Sequence, residues 1–215
     1  MSWWIVCFVA LVGAGHLAAY YAGSRALAGS LKALPILALA AVVARSGAGA
    51  GYAGWLTGGL LASAVGDLCL VWPERRFIWG LASFLLAHCL YLAAFASGAA
   101  SGGTSWPWLV GIAAAAIILL ARLWPHLGSV RGAVVVYVTV IASMAWTAAR
   151  RAGAPTTPAL SGTLALAGSL LFMTSDAILA LDRFARRIPA AHAAVMVTYY
   201  AAQTLIAASA VAVSL

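Results

Sequence analysis

Apolar residues run along this chain in long blocks separated by short polar breaks. Eight such blocks fall at roughly 3–21, 33–46, 52–72, 77–97, 106–122, 130–148, 159–181 and 189–213. A helix that crosses a bilayer needs ~20 mainly apolar residues, because hydrocarbon offers no water to an unpaired backbone group. The pattern therefore predicts an all-α fold, a polytopic membrane helical bundle of about eight transmembrane helices. Block 33–46 is short and carries Pro35, so it predicts either a kink or an extension back to include Lys32. The linkers GAASGGTS (98–105) and RRAGAPTTP (150–158) are short and flexible. Residues 1–215 thus read as a single membrane domain. GDLCLVWPERRF and SDAILALDRF echo one another four blocks apart, which is compatible with a four-plus-four parallel repeat.

Composition fixes the class. Hydrophobic residues make up 65% of the chain and charged ones 7%, whereas about a quarter of the residues in a soluble domain are charged. Mean hydropathy is +1.04. No basic stretch precedes Trp3 and Trp4, so the first block reads as a retained helix rather than a signal peptide, with the mature chain expected to begin at Met1. Cys7, Cys69 and Cys89 are odd in number and lie within apolar blocks, which argues against a disulfide framework or a thiolate metal site; they are expected to be packing residues.

The net charge of +8 is explained by its placement rather than by nucleic acid. Arg25, Lys32, Arg75, Arg76, Arg122, Arg131, Arg183, Arg186 and Arg187 fall between alternate blocks on one side; Arg45, Arg150 and Arg151 fall on the other. Basic residues concentrate on the cytoplasmic side of membrane proteins. This orients both termini outside the cytoplasm, and the Ala- and Gly-rich composition suits a bacterial plasma membrane.

Against that apolar background two acids stand out. The chain has four carboxylate side chains, and Asp67 and Asp176 lie inside apolar blocks, where an ionisable group is costly and marks a functional site by default. Both fall in the cytoplasmic half of the bilayer, Asp67 roughly 8 Å above Trp72 and Asp176 roughly 10 Å above Arg183. Their similar depth suggests one shared pocket. Ser63 precedes Asp67 by one turn, Ser175 adjoins Asp176, His88 shares a face with Tyr91, and Tyr199 and Tyr200 share a face with Gln203. Tyr137 enters from the cytoplasmic end of its block, as does Lys32. Each has a plainer reading: Ser, Tyr and Gln often join membrane helices by hydrogen bonds, and an aspartate can be one arm of a structural salt bridge.

KALPI at 32–36, ASAVGDLCLVWPERRFIWGLASFLLAHCLYLAAF, YVTVIASMAWTAA from Tyr137, LFMTSDAILALDRF and VTYYAAQTLIAAS occur in that order. Together they resemble the YhhN-like membrane proteins, the family that includes the TMEM86 lysoplasmalogenases. The resemblance covers nearly the whole chain but is not distinctive in the first block or at 98–105 and 150–158. It implies hydrolysis of the vinyl ether bond of a lysoplasmalogen to a fatty aldehyde and a glycerophospho-head-group alcohol.

The residues suit that chemistry. Protonation of the β-carbon of a vinyl ether gives an oxocarbenium ion that water captures, and glycosidases meet a related cation with a carboxylic acid and a carboxylate. Asp67 and Asp176 are the expected catalytic pair. His88, Tyr199, Tyr200 and Gln203 are expected to shape the hydrogen-bond network with support from Ser63, Tyr91, Tyr137 and Ser175, while Lys32 binds the head-group phosphate. The scheme needs no cofactor or metal, and the expected partners are a lysolipid and membrane lipids, with neither nucleic acid nor an obligate protein partner. A proton-coupled transporter or lipid scramblase would also carry paired membrane acids, and a lipid-binding protein on the same scaffold is a third possibility. Aldehyde release by detergent-purified protein separates these readings.

Overall fold

The computed structural model describes residues 2–97 and 105–213, all of its regular structure being helical. The linker at 98–105 lies outside the described residues except for Ser105. Nine α-helices follow in order: α1 (Trp3–Tyr21), α2 (Arg25–Lys32), α3 (Leu34–Ala44), α4 (Ala50–Cys69), α5 (Pro73–Ala96), α6 (Trp106–Leu123), α7 (Arg131–Ala152), α8 (Ala159–Ala180) and α9 (Ala191–Val211). A π-helical turn, Leu181–Ala185, extends α8.

Seven stretches are long and apolar enough to cross a membrane, and α2 with α3 counts as one of them, Arg25–Ala44. The protein is an integral membrane protein. Helix α4 is the eighth long helix and is less apolar because five of its residues are glycines. The block expected at 33–46 begins eight residues earlier, at Arg25, and it is also broken at Ala33. Pro35 explains the break: it has no backbone N–H to give and sits in the first turn of α3, where none is required. At the other end of the chain's charge pattern, α7 runs on to Ala152 rather than 148. Arg151, expected as a loop charge, is thereby buried, its guanidinium 3.9 Å from the centre of the Tyr52 ring.

Pairwise packing closes a ring of six helices, α3–α4–α5–α7–α8–α9 and back to α3, with α4 also touching α9. Helix α1 packs outside on α2, α3 and α9, and α6 packs on α7 and the π turn. Small residues let the ring close tightly, as is usual where lipid supplies no hydrophobic drive between helices. At Gly59 of α4, a methyl group would overlap the Tyr91 ring of α5, and at Gly66 it would fall 2.7 Å from Phe84 Cε2. The outer surface exposes Trp3, Trp79, Trp106, Ile117 and Val197, as a lipid-facing surface does. Cys7 and Cys89 are exposed on it as well, so they are not the packing residues that their apolar surroundings predicted.

Candidate active site

The interior of the ring holds the polar groups, drawn from nearly every wall. Asp67 near the end of α4 is buried, with 1% of its surface exposed. Tyr199 of α9 donates a hydrogen bond to Asp67 Oδ2 at 2.8 Å, and Lys32 Nζ stands 3.5 Å from Oδ1. Lys32 is the last residue of α2, just before the break, and it too is buried. Tyr200 Oη fixes that corner by donating to the Lys32 carbonyl at 2.9 Å. Burying both charges is costly unless they are paired and hydrogen-bonded, which this set achieves.

Asp176 of α8 stands in a second set. Tyr137 of α7 donates to Asp176 Oδ2 at 2.6 Å, and His88 Nε2 of α5 lies 3.6 Å from the same oxygen. Among the described residues, no lysine or arginine is within ion-pair distance of Asp176. The side chain of Asp176 is 16% exposed, against 2% for Asp67. It opens into a narrow apolar crevice of about 50 Å³, walled by residues of α5, α6, α7 and α8 that include Leu81, Leu119, Ile141 and Met173.

The two carboxyls thus stand in separate hydrogen-bond sets. They are linked through aromatic rings: Phe172 lies 4.6 Å from the His88 ring and 5.4 Å from the Tyr199 ring, and Phe84 closes against both Phe172 and Tyr199. Tyr91 is fully buried and donates to Gln203 Oε1 at 2.7 Å. His88 Nδ1 is buried in the same interior and makes no hydrogen bond to any described residue, while Ser63 lies beside the Tyr91 hydroxyl and Gln203 beside the Tyr199 hydroxyl. Ser175 does not join either set; its hydroxyl donates to the carbonyl of Val195 at 3.0 Å and ties α8 to α9.

Three features have no sequence signature. Phe172 is one aromatic in an apolar run, and nothing in its neighbours marks it as the link between the acids. His16 and His192 come from opposite ends of the chain, with Nε2 atoms 3.1 Å apart. The carbonyl of Ala28, 2.8 Å from His16 Nδ1, can only accept, so it fixes the proton on that nitrogen. Arg183 emerges from the π turn with its guanidinium 4.7 Å from the centre of the Phe77 ring. Among the described residues there is no cluster of three or more His, Cys, Asp or Glu side chains able to hold a metal.

Residues 27–210 match the profile of the YhhN family. The chain belongs to that family. It is 40% identical over 179 residues to the protein named lysoplasmalogenase TMEM86B from Sus scrofa, covering 83% of this chain and 73% of that one. The protein of the same name from Homo sapiens is 36% identical over 180 residues, 84% of this chain and 74% of its own. A protein named uncharacterized membrane protein YhhN from Escherichia coli O157:H7 is 30% identical over 152 residues, 70% of this chain and 71% of its own. No solved structure matches this YhhN-family chain.

Proposed function

We propose that this YhhN-family protein hydrolyses the vinyl ether bond of a lysoplasmalogen or a similar alkenyl lysolipid, releasing a fatty aldehyde and a glycerophospho-head-group alcohol. Its relatives' names support the reaction class. The observation that carries the reading is the placement of Asp176: a carboxyl group, hydrogen-bonded by Tyr137, set in the wall of an apolar crevice that suits a single hydrocarbon chain.

In this scheme Asp176 is the proton donor. Its oxygen meets no lysine or arginine, so nothing obliges it to stay ionised in an apolar wall. Its proton passes to the β-carbon of the vinyl ether, the C=C π electrons form the new C–H bond, and the positive charge rests on the α-carbon and ether oxygen. Water adds to the α-carbon and returns one proton to the Asp176 carboxylate. The hemiacetal hydroxyl then gives its proton to the glycerol oxygen as the bond from the α-carbon to that oxygen breaks, giving aldehyde and alcohol and leaving the enzyme unchanged. His88 and Gln203 orient that water, His88 from beside Asp176 and Gln203 from its bond with Tyr91. Asp67 is the second carboxyl, paired with Lys32 and hydrogen-bonded by Tyr199, and it stabilises the cation across the Phe172 ring.

Detergent-purified protein incubated with a lysoplasmalogen should release aldehyde, measured through a coupled alcohol dehydrogenase. A protein that gives no aldehyde in detergent but moves a proton or lipid across a sealed vesicle is the transporter instead.

A further inference from the structure

A second cavity adjoins the crevice beside Asp176. It is an open vestibule of about 560 Å³, and its wall carries Arg25, Lys32, Arg183 and Arg187 against one acid, Asp182. The crevice and the vestibule share three wall residues, Phe77, Leu179 and Arg183. A molecule lying across that junction has one end in a hydrocarbon-lined slot and the other among cations.

The cations are not equivalent. Lys32 is engaged by Asp67, and Arg187 stands 3.5 Å from Asp182. Arg183 is the cation at the junction itself, exposed, stacked on Phe77, and with no carboxylate of the described residues within ion-pair distance. A planar guanidinium steadied on an aromatic face is the group best fitted to take a phosphate by two parallel hydrogen bonds. Spacing agrees. Seven residues separate Asp176 from Arg183, about 10 Å along a helix. In an alkenyl glycerophospholipid six bonds run from the vinyl ether α-carbon to phosphorus, roughly 7 Å when extended, and the phosphate oxygens lie about 3 Å from the guanidinium nitrogens.

We propose that the vestibule is a phosphate-binding head-group subsite in which Arg183 takes the phosphodiester, so that the Asp176-to-Arg183 spacing sets the vinyl ether in register with the carboxyl. The choice of lipid rests on the alkenyl-lysolipid reading above. The class of ligand, an anionic phosphate carried on a single apolar chain, rests on the two joined cavities alone.

Binding of an uncleavable 1-alkyl lysophosphatidylethanolamine and of the matching 1-alkylglycerol, which lacks the phosphate, tests this by tryptophan fluorescence of purified protein in uncharged detergent. The wild type should bind the phosphorylated lipid at least tenfold more tightly; equal binding overturns the proposal. R183Q should shrink that preference to less than threefold at a melting temperature close to wild type, and R183K should keep part of it. Both variants retaining the full preference overturns the assignment of Arg183. Glycerophosphoethanolamine and inorganic phosphate should compete only at far higher concentrations; competition by inorganic phosphate at the lipid's own concentration means a free-phosphate site and overturns the head-group reading. No bond is broken in this assay, so its result stands apart from whether the protein releases aldehyde.

Discussion

At the scale of single residues, the two aspartates are asymmetric in a way that assigns different work to each. Asp176→Asn keeps the size and the contact with Tyr137 but cannot donate a carboxylic proton, so aldehyde release should fall at least ~100-fold. Asp67→Asn leaves Lys32 buried without its counter-charge, and removing one arm of a buried pair is strongly destabilising. It should therefore lower both turnover and melting temperature, whereas Asp176→Asn lowers turnover alone. The double variant should be scarcely slower than either single one, since groups serving one step are non-additive. Near-normal release by Asp176→Asn removes the proposed donor. The aspartates were legible because a carboxylate in an apolar block needs an explanation that an isolated Phe does not. The pairing of Tyr137 with Asp176 and of Tyr199 with Asp67 was not legible, because those partners are 39 and 132 residues apart and meet only when the ring closes. Lys32 was expected to read a phosphate; its ammonium stands 3.5 Å from Asp67, and the phosphate role proposed above goes to Arg183, counted in the sequence only as a topology charge.

At the scale of elements, the helices follow the hydrophobic blocks closely because length and apolarity are direct sequence properties, while their breaks depend on local chemistry. Pro35 foretold a kink or an extension back to include Lys32, and the structure has both, a break at Ala33 and a helix reaching back to Arg25; only that far limit was not legible, since the stretch is polar on one side. Glycines in α4 are similar in sequence and opposite in consequence. A methyl group at Gly59 would overlap the Tyr91 ring, and Tyr91 holds Gln203; at Gly54 nothing lies within 4 Å. Gly59→Ala should destabilise by ~1–3 kcal/mol through overpacking and reduce activity by shifting Gln203. Gly54→Ala should be tolerated or slightly stabilising, because alanine is the better helix former. Melting curves of the two variants in the same detergent check this, and equal behaviour means that α4 does not pack on α5 as described.

At the scale of the whole molecule, the two ends of the ring differ in chemistry, and that difference bears on orientation. One end carries Arg25, Arg75, Arg76, Arg183, Arg186 and Arg187 in or beside open cavities or exposed turns. At the other, Arg151 is drawn inward, over Tyr52 and 3.4 Å from Ser161 Oγ, so it no longer counts as a solvated charge. The imbalance of exposed basic residues is thus sharper in the folded protein than in the sequence, and from the positive-inside tendency we propose that the vestibule and both aspartates face the cytoplasm. A lysolipid would then present its head group to the cytoplasmic side. With the native cysteines replaced by alanine, a cysteine at the exposed Thr156 should react with an impermeant thiol reagent added to intact cells, and one at the exposed Arg186 should react only after permeabilisation. The reverse pattern would turn the molecule over and put the substrate in the opposite leaflet, leaving the chemistry of the ring interior as described but assigning the enzyme a different pool of lipid.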